Sequence, residues 1–286
     1  MEHLLPETAL VVEGGGMRGV FSTGLLDGFL ERTFDPFHIY IGVSAGSTSL
    51  AAFLAEMHGR NRKIYTDLST GPEFINLKRF LRGGHLMDLD WLWSLTISTM
   101  RLDLPLIYSK NRPFIVGMTD VETGRTVYKT TAAEDLEHVL KASSALPVVY
   151  RGFPMVDGRP MTDGGISDPI PVAEAIRRGA KRILVIRSRP RCQVSRRDAL
   201  SYLVSWSLRK YPALQATIEA HDRVYNETLT LIRRPPEGVS VIEICPPDSF
   251  RPGKFTRDAR VLREGYEQGR AMAEEAIARW ERSSLT

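Results

Sequence analysis

Short apolar runs alternate with a segment of helical periodicity near the start of the chain. Residues 9–13 (ALVVE) and 37–43 (FHIYIGV) are rich in aliphatic, β-branched and aromatic side chains, which is typical of buried strands. Residues 20–32 repeat apolar positions with helical spacing, and Gly24 and Gly28 give this helix a smooth ridge for packing on a sheet. Strand, helix and strand in this order predict a βαβ unit and a parallel sheet.

The same two patterns continue along the rest of the chain. They predict strands at 113–120, 125–130, 183–186 and 239–244, and helices at 134–144, 172–178, 199–208, 214–231 and 256–281. Asp168, which precedes Pro169, is interpreted as the cap of the helix at 172–178. We therefore expect an α/β fold with a mostly parallel sheet, and a single domain over residues 1–286, since no linker interrupts these elements.

Composition narrows the class of protein. With 286 residues, 43% of them hydrophobic and 25% charged, the chain resembles ordinary globular proteins rather than disordered or repetitive ones. The first residues (MEHLLPETALVV) do not form a secretory signal, and no run approaches the length of a membrane span. The separated Cys192 and Cys245 indicate a reducing compartment. We expect a cytoplasmic protein, in peripheral contact with a membrane at most.

Positive charge is concentrated in one stretch. The net charge is only +4, but residues 177–210 hold eleven Lys or Arg and one acid, Asp198. Such a stretch could lie against an anionic membrane surface or bind a phosphate-bearing substrate. The favoured interpretation is simpler: the stretch is a solvated face, and Arg177 and Arg178 compensate the dipole at a helix C-terminus. Nucleic acid is not an expected partner, and the sequence leaves the oligomeric state open.

A candidate nucleophile follows the second predicted strand. Gly42-x-Ser44-x-Gly46 stands where the strand passes into a helix, the local structure of a nucleophile elbow. Such a turn exposes the serine hydroxyl at a helix N-terminus, where developing negative charge is favoured. The simpler interpretation is a small-residue turn in which Ser44 or Ser47 caps the helix.

A glycine-rich loop follows the first predicted strand. Gly14-x-Gly16-x-x-Gly19 matches the dinucleotide fingerprint, but the second strand ends in GVSAG rather than in the acid that a ribose requires. The loop amides are therefore candidates for an oxyanion hole. Arg18, a cation in the first turn of a helix, indicates an anionic group nearby.

A serine nucleophile requires a general base, and two residues qualify. His221 lies in a charged helical segment, where a triad histidine is not expected. Asp163 stands in Asp163-Gly164-Gly165, a tight loop after a strand, although such a sequence is also an ordinary turn. If Asp163 is the base, burial should raise its pKa, because a free carboxylate is a weak base at neutral pH.

These three motifs, in this order, resemble those of the patatin-like phospholipases. The resemblance covers about the first two thirds of the chain, with 9–176 as a catalytic core and 177–286 completing the fold. It implies a three-layer α/β/α fold and hydrolysis of lipid esters without a cofactor or metal. It implies the following roles: Ser44 as nucleophile, Asp163 as proton acceptor, Gly15, Gly16 and Arg18 as oxyanion-binding residues, and Gly14, Gly19, Gly42, Gly46, Gly164 and Gly165 as motif glycines.

Two alternatives remain open from the sequence. One is a conventional serine esterase that uses His221, and the other is a non-catalytic module that binds a phosphate or nucleotide through the glycine loop. Residues 59–106 match no rule that assigns them a role. Their Trp91 and Trp93, with Leu95 and Met100, either line a groove for an acyl chain or belong to the core of a helical layer.

Overall fold

A central sheet organises the molecule. The computed structural model describes residues 7–195 and 204–283. The strands are β1 (Thr8–Val12), β2 (Ile39–Val43), β3 (Phe114–Asp120), β4 (Thr126–Thr130), β5 (Met155–Val156), β6 (Arg159–Asp163), β7 (Arg182–Ile186) and β8 (Ser240–Ile244). Their order is β5-β6-β3-β2-β1-β7-β8, with β4 also paired to β3. The five strands β3, β2, β1, β7 and β8 run parallel, and β4 and β6 are antiparallel to β3.

Helices cover both faces of this sheet. They are α1 (Val20–Glu31), α2 (Ala45–Leu54), α3 (Arg60–Lys63), α4 (Leu77–Leu81), α5 (Leu89–Met100), α6 (Leu104–Ser109), α7 (Leu136–Ser143), α8 (Val172–Arg177), α9 (Pro212–Arg233), α10 (Ala259–Ala271) and α11 (Ala273–Arg282). Short 3-10 helices occupy Gly16–Gly19 and Gly164–Ile166, and a π-helix occupies Ile64–Leu68.

The apolar core lies in two layers because alternate residues of each strand point to opposite faces. Leu10 and Val12 pack with α1, α2, α7 and α10 in one cluster. Ala9 and Val11 pack with α8 and α9 in the other. The result is a three-layer α/β/α fold, as the family resemblance implies.

The structure corrects three details of the sequence-based interpretation. Asp168 does not cap α8; it accepts hydrogen bonds from the Tyr128 hydroxyl and from the Ile170 amide, so it fastens β4 to the loop before α8. The glycine ridge of α1 packs on α10 rather than on the sheet. The last predicted helix is divided at Met272 into α10 and α11. Residues 199–203 of the helix predicted at 199–208 fall outside the described residues, while 204–207 are helical. The single-domain boundaries stay a prediction.

Candidate active site

Ser44 occupies a strained turn between β2 and α2. Its backbone dihedral angles are φ 52° and ψ −129°, a region that residues other than glycine rarely adopt. The turn is also tight: a Cβ atom at Gly46 would overlap the Val12 carbonyl oxygen of β1. The Ser44 carbonyl accepts hydrogen bonds from the amides of Ser47 and Thr48, which begins α2 directly behind the serine. A serine at positive φ between a strand and a helix has the backbone geometry that a nucleophile elbow requires.

Asp163 lies against the hydroxyl of Ser44. Ser44 Oγ donates a 2.7 Å hydrogen bond to Asp163 Oδ2, and both side chains are buried. The second carboxylate oxygen accepts a 2.8 Å bond from the Gly165 amide. Pairing of β6 with β3 sets this position, because Asp163 is the register partner of Met118. Two residues 119 positions apart in the sequence thus form one hydrogen-bonded pair.

Burial changes the acidity of this carboxyl group. Removal from water raises the pKa of Asp163 to about 6, against the stabilising effect of the bonds from Ser44 and Gly165 and of the positive charge of Lys254. This is the direction that the sequence predicts for a carboxylate that serves as a base. At pH 7 the group is ionised and is a better proton acceptor than a free aspartate.

The glycine loop runs beside the elbow. Gly16 has φ 56°, and a side chain there would press on the Lys254 carbonyl oxygen. The Gly14 amide donates to the Pro169 carbonyl at 3.3 Å, and the Met17 amide donates to the Lys254 carbonyl at 3.1 Å. Within the described part of the chain, the amides of Gly15 and Gly16 donate no hydrogen bond. These two amides are therefore candidates for the oxyanion donors that the motif implies.

Arg18 stands in the same loop, within the 3-10 helix Gly16–Gly19. Its charged neighbours are Glu13, Arg187 and Arg189, and burial lowers the pKa of Arg18 to about 10. Its Nε atom is buried and has no hydrogen-bond partner among residues 7–195 and 204–283. The sequence predicts an anionic group near Arg18, and Glu13 is an acidic residue whose charge acts on it. The structure places Arg18 in the loop of the site, and its role in binding an oxyanion stays a prediction.

His221 is hydrogen-bonded to the backbone of Ile166 rather than to Ser44. Its Nδ1 atom lies 3.3 Å from the Ile166 carbonyl oxygen, and its ring lies 6.2 Å from that of Tyr225, centroid to centroid. Burial lowers the pKa of His221. The Ser44 hydroxyl is bonded to a carboxylate, not to this imidazole.

A largely apolar cavity opens beside Ser44. It has a volume of about 910 Å³, including the space at its open mouth. Residues 59–106, which the sequence left without a role, supply much of its wall, including Ile64, Phe74, Met87, Leu89, Leu92 and Trp93. Trp93 is also fixed by a 2.9 Å bond from its indole nitrogen to the Glu137 carbonyl.

Sequence reasoning missed two residues that shape the site. Ser143 accepts a 2.7 Å bond from the Ser44 amide and donates one to the Gly117 carbonyl, so it fixes the elbow to β3. Lys254 contacts the glycine loop through its carbonyl, and its charge acts on Asp163. Neither residue belongs to a motif, and Lys254 lies 91 positions beyond Asp163, so no local signal marks them.

The fold and this site define an α/β protein with a buried serine–aspartate pair beside an apolar cavity. The family model of the patatin-like phospholipases matches residues 10–176, and a model for a domain of unknown function (DUF6363) matches residues 211–284. YjjU of Escherichia coli K12 is 35% identical over 273 residues, which span 92% of this chain and 74% of the relative. The chain belongs to the patatin-like phospholipase family, and this membership supports a lipid hydrolase.

More distant relatives and solved structures were also found. Rv1063c of Mycobacterium tuberculosis, an NTE family protein, is 29% identical over 181 residues, covering 59% of this chain and 45% of the relative. VipD of Legionella pneumophila aligns with a TM-score of 0.48 at 13% identity, covering 96% of this chain and 67% of VipD. Human GIVD cytosolic phospholipase A2, in complex with methyl γ-linolenyl fluorophosphonate, aligns with a TM-score of 0.44 at 10% identity. The alignment covers 98% of this chain and 60% of the phospholipase chain.

Proposed function

We propose that this protein is a serine acyl-ester hydrolase that cleaves phospholipid or lysophospholipid through a Ser44–Asp163 dyad. The observation that carries the proposal is the 2.7 Å bond from Ser44 Oγ, at a strained elbow, to a carboxylate whose pKa is raised to about 6. Perturbed acidity and backbone strain in one place are typical of reactive sites. The adjoining cavity offers a place for the acyl chain.

The reaction proceeds in two halves. Ser44 Oγ attacks the ester carbonyl carbon while Asp163 accepts the hydroxyl proton, which forms a tetrahedral intermediate. The amides of Gly15 and Gly16 bind the oxyanion, and Arg18 adds positive charge to the loop. Asp163 then gives its proton to the departing alcohol, and an acyl-enzyme remains on Ser44. Water attacks this ester, Asp163 accepts its proton and returns a proton to Ser44 Oγ, and the fatty acid leaves.

Labelling by a fluorophosphonate probe tests this proposal. Wild-type protein should be labelled, Ser44→Ala should not, and Asp163→Asn should react at least a hundredfold more slowly, because a neutral amide accepts no proton. Ser49→Ala is the matched control, since Ser49 is a buried serine on α2, the helix that follows Ser44, and its hydroxyl is bonded to that of Thr23.

The His221→Ala variant separates this proposal from a conventional triad. Its labelling rate should stay near that of the wild type. Loss of labelling in His221→Ala with retention in Asp163→Asn would refute the dyad.

A further inference from the structure

A short projecting hairpin forms part of the wall of the cavity. We call residues 75–87 the α4 hairpin: Ile75 pairs with Met87 in an antiparallel bridge, the Asn76 amide donates to the Leu86 carbonyl at 2.9 Å, and α4 (Leu77–Leu81) forms the tip. Phe74 and Met87, at the base of the hairpin, line the cavity beside Ser44. The tip is therefore joined directly to the acyl-chain pocket.

The tip exposes large apolar side chains. Leu77 and Leu81 are 62% and 77% exposed, and their spacing of four residues places them on one face of α4. Ile97, which lines the cavity from α5, is a third exposed apolar residue, at 37%. Removing leucine side chains from water lowers the free energy, so an exposed face of this kind indicates a surface that contacts an apolar partner.

The same tip is cationic. Lys78 and Arg82 are exposed beside the two leucines, and residues 74–87 contain no Asp or Glu. This surface is complementary to an anionic bilayer. The leucines can enter the layer of acyl chains, and the cations can contact the lipid phosphates.

The hairpin is held rigidly behind this surface. The Arg79 guanidinium donates to the carbonyl oxygens of His85, Glu73 and Phe74 at 2.8–2.9 Å. The Arg151 guanidinium lies 4.6 Å from the centre of the Phe80 ring and donates to the Phe80 carbonyl at 3.1 Å. Arg79 and Phe80 thus point inward and fix α4, so Leu77 and Leu81 are presented at a reduced ordering cost.

We infer that the tip of the α4 hairpin is the surface by which this protein docks on anionic phospholipid bilayers, with Leu77 and Leu81 inserted and Lys78 and Arg82 at the phosphates. The inference rests on the proposed function, since residues at the base of the hairpin line the cavity in which the lipid ester would react. The basic stretch 177–210 is a weaker candidate: Arg177 and Arg178 both pair with Glu174, and Arg187 is buried among acids.

Co-sedimentation of the full chain with phosphatidylcholine vesicles, with and without phosphatidylglycerol, tests the inference. Wild type should bind the anionic vesicles and lose binding in high salt. Leu77→Ser/Leu81→Ser should lower the partition coefficient at least tenfold. Lys78→Gln/Arg82→Gln should lower it at least tenfold at low salt and have little effect on neutral vesicles.

Matched controls come from other elements. Trp206→Ser removes an equally exposed apolar side chain, 62% exposed, and Arg223→Gln removes an exposed cation of α9; each should change binding by less than twofold. Equal losses in these controls, or unchanged binding in both hairpin variants, would overturn the inference.

Labelling by the fluorophosphonate probe without vesicles separates this inference from the proposed function. The hairpin variants should be labelled at the wild-type rate, which shows that they are folded and that only docking is lost. If wild type were not labelled but the hairpin variants still lost vesicle binding, the docking surface would stand and the proposed chemistry would fail. If the hairpin variants lost both labelling and vesicle binding, the hairpin tip would not act in docking alone, and the inference would be overturned.

Discussion

Ser44 and Asp163 each stand in a setting that their residue type ordinarily avoids. Ser44 has φ 52°, which costs of order 1 kcal/mol or more for a residue with a side chain. Asp163 is a carboxyl group removed from water, so its ionised form is penalised. The bond between them and the amide of Gly165 offsets part of both costs. The strain is thus concentrated on the atoms that the proposed chemistry needs.

The raised pKa predicts how reactivity depends on pH. Only the ionised carboxylate accepts the Ser44 proton, and the pKa of Asp163 is about 6. Below pH 6 the protonated fraction grows, so the rate of fluorophosphonate labelling should fall about tenfold for each pH unit. Above pH 7 the rate should be nearly constant. A profile of labelling rate from pH 4 to pH 8 measures this.

Two features make the pH profile decisive. Asp163→Asn should show a slow rate that does not depend on pH in this range, because the titrating group is gone. An acid limb centred near pH 4 would show that burial does not raise the pKa, and the same limb in Asp163→Asn would assign it to another group.

At the scale of elements, two helices approach each other through glycines. A Cβ atom on Gly24 of α1 would overlap the Tyr266 carbonyl of α10, and one on Gly269 of α10 would overlap the Phe21 carbonyl of α1. Tyr266 also donates a 2.8 Å bond to the buried Asp27 of α1. The glycine spacing in α1 therefore serves a helix from the other end of the chain, which local periodicity does not show.

This close approach predicts the effect of one added methyl group. Gly24→Ala should gain helix propensity of about 1 kcal/mol but force α1 and α10 apart, so we expect a net loss of about 2 kcal/mol or more in the free energy of unfolding. Urea denaturation measures the change. Gly253→Ala is the control, because its Cβ would meet only Thr256 Oγ1 at 3.5 Å. Gly24→Ala with wild-type stability would contradict the packing described here.

At the scale of the whole molecule, one buried cation joins distant segments. Arg187, after β7, is fully buried and donates to Glu243 of β8 at 2.7 Å and to the Tyr225 hydroxyl of α9 at 2.7 Å. Tyr225 in turn donates to Glu13, which follows β1, at 2.9 Å. The network connects the last third of the chain to the carboxyl end of β1, where Gly14 begins the glycine loop.

Removal of this cation should be costly. Arg187→Met leaves Glu13 and Glu243 buried without it, so we expect a loss of about 3–5 kcal/mol in the free energy of unfolding. Arg191→Met is the matched control: its Nε lies 3.8 Å from Glu243, and its exposed side chain predicts a loss below about 1 kcal/mol. Thermal unfolding of both variants measures the difference, and equal losses would show that the buried network does not hold these segments together.

Local chemistry in the sequence is enough to predict much of the fold. The β-branched runs and helical periodicities place β1, β2, β3, β7 and β8, and they predict the parallel order of a βαβ unit. The family assignment was also within reach, because the three motifs depend on tight turns that few residues allow. Asp168 shows where local prediction fails. An aspartate before Pro169 resembles a helix cap, but its carboxylate accepts a hydrogen bond from the hydroxyl of Tyr128, forty positions earlier.

By itself the sequence determined the five parallel strands, most of the helices outside residues 59–106, the α/β class and the family, because these follow from side-chain periodicity and from glycine-rich turns. The tertiary structure alone decided what lies against Ser44. Pairing of β6 with β3 brings Asp163 to its hydroxyl, burial there raises the pKa of the carboxyl group, and residues 59–106 enclose the cavity. These are effects of distance and of exclusion from water, and neither is encoded by neighbours along the chain.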